Sequence, residues 1–469
     1  MRIHTLFKNF SYSLAANMLS YAVSAAVLFI LPKRLGVASY GYYQFYVLCA
    51  SFAGLAHFGW LDGIYLRCGG MKYEELDKRS ISSQFWTLII VEIAVGIVLF
   101  SLAQRYITDA QKLAVVSFVV FMPIIENSKC MLSYVMQVTN RISCYARTIM
   151  LDRAIFLFNI CVCLLLGFMD FRAFLIADIA ARAVALGYIT FQARDIASCG
   201  LVSLRTALRE AAINISVGVK LLFANVASIL TLGIVRFGIE HEWDIRVFSQ
   251  VSLALSASVM LSVFVSAAAV VLYPHLKMLP RESLAPHFSA SRDALDVIAF
   301  AMLFLYYPLV FILSSWLPHY ATGIAYMSML FPVLVFESKR ALLLDTYLKA
   351  IRAERALFAI NLLSLALSAS LTYIAASLVH NLTLTAAVIP LVVIVKCALE
   401  EVYMSRAFSL PCMKNLFASV ILAAVFMSCG VSGISAPISA AIYLLAYCVY
   451  LILHKDFLHS ALFYIRKAQ

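Results

Sequence analysis

From one end to the other, this chain repeats segments of roughly 17–25 residues that carry almost no charge, each long enough to cross the ~30 Å hydrocarbon core of a bilayer as a helix. Fourteen such spans are expected, over residues 11–31, 41–61, 85–103, 113–136, 151–168, 173–191, 216–235, 248–273, 294–316, 322–338, 356–378, 383–399, 415–432 and 437–454. A chain built this way must satisfy its backbone polar groups inside each span, which makes it an all-α polytopic membrane protein. Connections of about 25 residues or fewer leave no room for a soluble catalytic domain. The first span is too long for a signal-peptide core and runs into Leu31-Pro32-Lys33-Arg34 rather than a small-residue cleavage site, so it is expected to be retained.

Composition agrees, with 64% hydrophobic and 13% charged residues and a mean hydropathy of +0.93, far from an average soluble domain. Basic residues divide unevenly between alternate connections, about 26 on the side of the N-terminus against about 7 on the other. By the positive-inside rule both termini are cytoplasmic. Most of the net charge of +12 is this bias, and no basic stripe interleaved with aromatics suggests nucleic acid. The eleven cysteines fall in spans or cytoplasmic connections, where free thiols are expected. Trp60 and Trp86 are expected at the inner interface, Trp243 and Trp316 at the outer one.

An internal repeat organises the spans. Leu14–Ser20 (LAANMLS) resembles 222–228 (LFANVAS), 42–51 resembles 248–258 around Gln44 and Gln250, and Ser128-Lys129 corresponds to Ser338-Lys339. The common offset of about 206–210 residues spans six helices. Copies separated by an even number of helices share orientation, so the expected plan is two six-helix parallel-repeat lobes plus two C-terminal helices. The boundaries are 1–215, 216–410 and 411–469. Substrate is expected in the cleft between lobes.

Charges inside spans are few and expensive, so they carry the functional reading. Asp178 and Arg182 stand four apart on one helix face. They form either a mutually neutralised packing pair or an anion site. Lys129 and Lys339 occupy equivalent repeat positions near Glu126 and Glu337; each either snorkels to the headgroups or lines the cleft with its counterpart. Glu92 is read as a packed carboxyl, with a coupling-ion role as the alternative. Pro123 and Pro332 are expected to kink their helices. Lys129, Arg182, Lys220, Lys339 and Arg340 are the candidate substrate-binding cations, and Asp62, Glu126, Asp178 and Glu337 the candidate gating or coupling carboxylates. No metal or cofactor pattern is found: phosphate-loop, zinc-protease and dinucleotide motifs are absent. His241, His319 and His380 lie at or beyond span ends without a matched acid, which argues against an enzyme.

Residues 31–70 carry a family resemblance. A first helix ending in basic residues and Leu35-Gly36 is followed by Tyr40-Gly41 with Gln44, then by Gly59 and Asp62-Gly63. This pattern resembles the N-terminal signature of bacterial polysaccharide-transporter flippases of the multidrug/oligosaccharidyl-lipid/polysaccharide exporter superfamily. The resemblance implies a flippase that moves polyprenyl-diphosphate-linked oligosaccharide across the bacterial cytoplasmic membrane for surface polysaccharide synthesis. The partners it implies are that glycan lipid, membrane lipids, a polysaccharide polymerase and glycosyltransferases. The rival readings are a cation-coupled multidrug exporter of the same superfamily and a membrane polysaccharide-modifying enzyme. The outward connections are short for the last of these.

Overall fold

The computed structural model describes residues 3–260, 262, 280–411 and 413–453. Two compact units, 1–229 and 230–469, divide the chain, and among the described residues every regular element is helical.

In the first unit, α1 (Ile3–Ala50) covers the first expected span and the first half of the second, as two helices joined directly at a kink. The kink is at Gly36, where φ is +73° and ψ 169°, four residues after Pro32. Proline removes one ladder hydrogen bond and glycine readily adopts a positive φ, so one helix ends there and the next begins at once. The chain then breaks over 51–59 with a 3-10 turn and positive φ at Phe58 and Gly59, and resumes as α2 (Trp60–Cys68). Next come α3 (Lys78–Tyr106), α4 (Ala110–Val138), α5 (Ile142–Leu165) and α6 (Phe171–Gln192). Asp77, Asp109 and Asp170 cap α3, α4 and α6 by accepting backbone N–H bonds, each cap contributing about 1 kcal/mol. After the short α7 (Arg194–Ala197), the long α8 (Leu204–Glu242) begins in the first unit and ends in the second.

The stretch from Phe58 to Gly70, just after the candidate span ends at His57, is packed tightly. Its Gly59 and Gly63 meet Asn214 and Gly218 on α8, backbone against backbone; a methyl group at Gly63 would collide with the Asn214 carbonyl, and one at Gly218 with the Gly59 carbonyl. Gly59, just before α2, with Gly63 and Gly218 permits this approach, because none of the three carries a side chain. Polar side chains seal it: Arg67 donates to Glu210 at 3.0 Å and to Asn214 at 2.7 Å, and Gln84 accepts from Asn214 and Trp60 at 2.7 and 2.8 Å. Trp60 is 4% exposed within an apolar core with Leu61, Phe85, Leu132 and Ile189. It is a core ring, not the interfacial anchor expected of it.

The second unit continues through α9 (Ile245–Val259), α10 (Arg281–Met302), α11 (Tyr306–Trp316), α12 (Ala321–Leu330), α13 (Val333–Lys339) and α14 (Asp345–Ala350). It closes with α15 (Glu354–Thr372), α16 (Leu382–Ala407), α17 (Met413–Val431) and α18 (Ala436–Leu453). The last helices are bound to this unit by aromatic packing: Phe426 contacts Tyr306, Phe331 and Tyr443. Tyr443 and Tyr447 also donate to the carbonyls of Phe300 and Val297 at 2.8 and 2.9 Å.

Among the described residues eleven helices are long and apolar enough to cross a membrane, twelve if the pair meeting at 49° around Phe331-Pro332 counts as one span. This falls short of fourteen for two reasons. The first two expected spans are counted together, because the two helices of α1 meet at the Gly36 kink with no loop between them. The eighth, 248–273, lies partly outside the described residues, and α9 is too short to qualify alone. Of the two prolines expected to kink, Pro332 stands at a bend, and Pro123 lies inside α4.

Candidate functional site

Within the first unit, α4, α5 and α6 bring their charges together. Arg182 on α6 donates to Asp178 at 2.8 Å, one turn away, and to Glu126 on α4 at 2.6 Å. Lys129, one turn beyond Glu126, lies 2.9 Å from it and 2.6 Å from Asp152 on α5. Tyr46 on α1 closes the set by donating to Asp178 at 2.8 Å. Three carboxylates thus face Lys129, Arg182 and the more distant Arg153, 4.0 Å from Asp152. Glu126 keeps 26% of its side chain exposed and Arg182 14%. That opening lets water or a polar ligand reach the network.

Beside it lies an apolar groove of about 560 Å³ between α3, α4 and α6, lined by Phe100, Phe118, Phe121, Met122, Ile125 and Ile176. Met122 links the two features, since its sulfur also meets the Tyr46 hydroxyl at 3.4 Å. Deeper in the unit, Glu92 is 1% exposed. It accepts from the Asn127 amide at 2.6 Å, which also donates to the Ala53 carbonyl at the break after α1.

The second unit buries its charges more completely. Lys339 on α13 is 2.8 Å from Asp296 on α10 and 3.0 Å from Glu401 on α16, with side chains no more than 2% exposed. Arg292 lies 3.0 Å from Asp293 and 3.9 Å from Glu401. The next residue along α13 points elsewhere: Arg340 bonds Glu337 at 2.7 Å and Asp345 at 2.9 Å. A π-turn over Arg340–Leu344 separates these partners, adding a residue to the helical turn and letting Asp345 reach back.

The candidate cations are thus distributed unequally. Lys129 and Arg182 share one network, Lys339 and Arg340 belong to two neighbouring clusters in the other unit, and Lys220 stands exposed on α8. Among the carboxylates, Glu126, Asp178 and Glu337 are direct ion-pair partners. Asp62 faces the buried side of α2, 7% exposed. Burial pushes its carboxyl up to about 6, against a smaller opposing effect of a backbone hydrogen bond.

Sequence reasoning missed Asp152, Asp296, Asp345 and Glu401, although these are what neutralise the lysines and arginines. Asp152 and Asp296 fall just inside the starts of expected spans, Glu401 two residues past the end of one and Asp345 seven past the end of another. For Glu401 the helix runs further than the apolar stretch, α16 continuing to Ala407, so a residue expected in a loop lies on a helix face. Among the described residues no three His, Cys, Asp or Glu side chains converge as metal ligands.

Neither a family model nor a curated protein sequence matches the chain. Solved structures do. One titled lipid II flippase MurJ in an inward closed conformation superposes with a TM-score of 0.67 at 11% identity, over 96% of this chain and 99% of that one. The two chains share one fold. A MATE family multidrug transporter of the MOP superfamily in its inward-facing conformation matches with a TM-score of 0.57 at 14% identity, over 84% of this chain and 94% of its own. An outward-facing MATE transporter matches at 0.53 and 12% identity, over 86% and 96%. The chain therefore has the all-helical fold of these membrane proteins, and among the described residues α17 and α18 pack on the second unit.

Proposed function

We propose that this protein is a flippase that carries polyprenyl-diphosphate-linked oligosaccharide from the cytoplasmic to the outer leaflet of the bacterial cytoplasmic membrane by alternating access, with both termini in the cytoplasm. The observation that carries this reading is the extent of the structural likeness. The lipid II flippase aligns with 96% of the chain, the two MATE transporters with 84% and 86%.

The first unit supports the same chemistry. A diphosphate headgroup cannot cross hydrocarbon unaided, and charge-assisted N–H bonds are its natural counterpart. Arg182 and Lys129 already hold carboxylates in the geometry a phosphate oxygen would take, and the partly exposed Glu126 bridges both. Exchange of Glu126 for phosphate would transfer the cations to cargo without leaving either charge unpaired. Lys220, Lys339 and Arg340 complete the set of headgroup-binding cations in this proposal, with Asp62, Asp178 and Glu337 holding the gates. The groove lined by Phe121 and Ile125 suits the prenyl chain, being apolar and beside the network. Polysaccharide polymerase and glycosyltransferases are the partners this role requires.

The test is native mass spectrometry of the protein purified in mild detergent. A co-purifying polyprenyl-diphosphate glycan supports the flippase and names the cargo. Bulk phospholipid alone, with thermal stabilisation by cationic drugs, would overturn the reading in favour of a multidrug exporter.

A further inference from the structure

α16 presents Lys396 and Glu400 on one face and Glu401 on the next, while α13 offers Lys339 and Arg340 in succession. Two clusters result. In one, Lys339 and Arg292 face Asp293, Asp296 and Glu401. In the other, Arg340 and Lys396 share their surroundings with Glu337, Asp345 and Glu400. Among the described residues each cluster holds three carboxyls and two cationic side chains.

In the second cluster the surplus can be located. The Arg340 guanidinium is engaged by Glu337 and Asp345. Glu400 is 0% exposed, and neither of its oxygens has a hydrogen-bond partner. A carboxylate so placed is costly, whereas the carboxylic acid is uncharged. The ionisable groups facing it are Lys396 on its own helix, Glu337 on α13, Arg340 at the π-turn, and Asp345 at the start of α14.

We propose that Glu400 is a proton-binding site. The proton sits on the Glu400 carboxyl and completes the charge balance of its cluster. On its release the new carboxylate competes with Glu337 and Asp345 for Arg340, and that competition falls on the π-turn, where the helical ladder is already irregular. The chain thereby links proton exchange to the segment between α13 and α14, next to the 49° bend. This holds whichever cargo the transporter moves.

The experiment is pH-difference infrared spectroscopy on the purified full-length protein in lipid nanodiscs, wild type against Glu400→Gln, with thermal melting of both. Glutamine is neutral and close in shape to the protonated acid, so the variant should melt at the wild-type temperature at pH 7. The wild type should show a protonated-carboxyl band at pH 7 that disappears on alkaline titration and is missing from the variant. An unaltered band in Glu400→Gln, or no such band in the wild type, would overturn the proposal. So would a variant that melts well below the wild type or fails to fold at pH 7, since that is the signature of losing an ionised partner. No cargo enters the measurement, so its outcome is independent of the flippase assignment.

Discussion

Lys129 Nζ stands 2.6 Å from Asp152 Oδ2, joining α4 to α5 through a pair whose side chains are 10% and 4% exposed. Breaking one side of such a pair costs about 3–5 kcal/mol, while replacing both sides with apolar groups is often neutral. Lys129→Met should therefore lower the thermal midpoint in detergent sharply, and Lys129→Met with Asp152→Leu and Glu126→Gln should recover most of the loss. Equal destabilisation by the single and triple variants would contradict the pairing. The proposed function adds that the restored triple variant exports no polymer.

Glu126 gives a sharper separation of binding from folding. Glu126→Gln keeps the shape but loosens its hold on Arg182 and Lys129. It should bind a diphosphate-glycan lipid more tightly and release it more slowly, with membrane abundance near wild type. Isotope-labelled cargo retention on purified protein reads this directly; unchanged retention removes Glu126 from the exchange.

The α2–α8 contact predicts a position-specific intolerance of small changes. Gly63→Ala and Gly218→Ala each push a methyl into backbone, and overpacking typically costs about 1–3 kcal/mol. Gly187→Ala, in open space on α6, should be neutral or stabilising by about 0.5–1 kcal/mol through helix propensity. Thermal midpoints of the three variants in one detergent test the contrast.

Asp62 supplies a pH signature. Its carboxyl is raised from 3.8 to about 6 by burial, so the fold favours the protonated form. The stability it contributes is present in full below the ordinary carboxylate value and is lost as pH rises through about 6. Melting curves between pH 4 and 8 should show this decline in the wild type and a flatter profile in Asp62→Asn. Parallel profiles would exclude Asp62 as its source.

These expectations rest on features that differ in how legible they were. Apolar length alone located nearly every helix, because a bilayer penalises any other arrangement of such segments. The Asp178–Arg182 pair was readable from its four-residue spacing. What escaped was partnership between helices: periodicity does not set the rotation of a helix that is apolar all round, and nothing local marks Asp152 as the counter-ion of Lys129. Nor does anything local show that Gly59 and Gly63 come close to Gly218, on a helix more than 150 residues away.

The spacing of the ion pairs along the chain also has a consequence for synthesis. In the first unit Lys129 meets Asp152 23 residues later, and Arg182 looks back 56 residues to Glu126, so the network has all its members once α6 has left the ribosome. The second unit is less fortunate. Lys339 finds Asp296 already made, 43 residues upstream, but Glu401 arrives only with α16. During that interval Lys339 and Arg292 are matched by Asp296 and Asp293 alone, so the tie between α13 and α16 that Glu401 makes waits until α16 emerges.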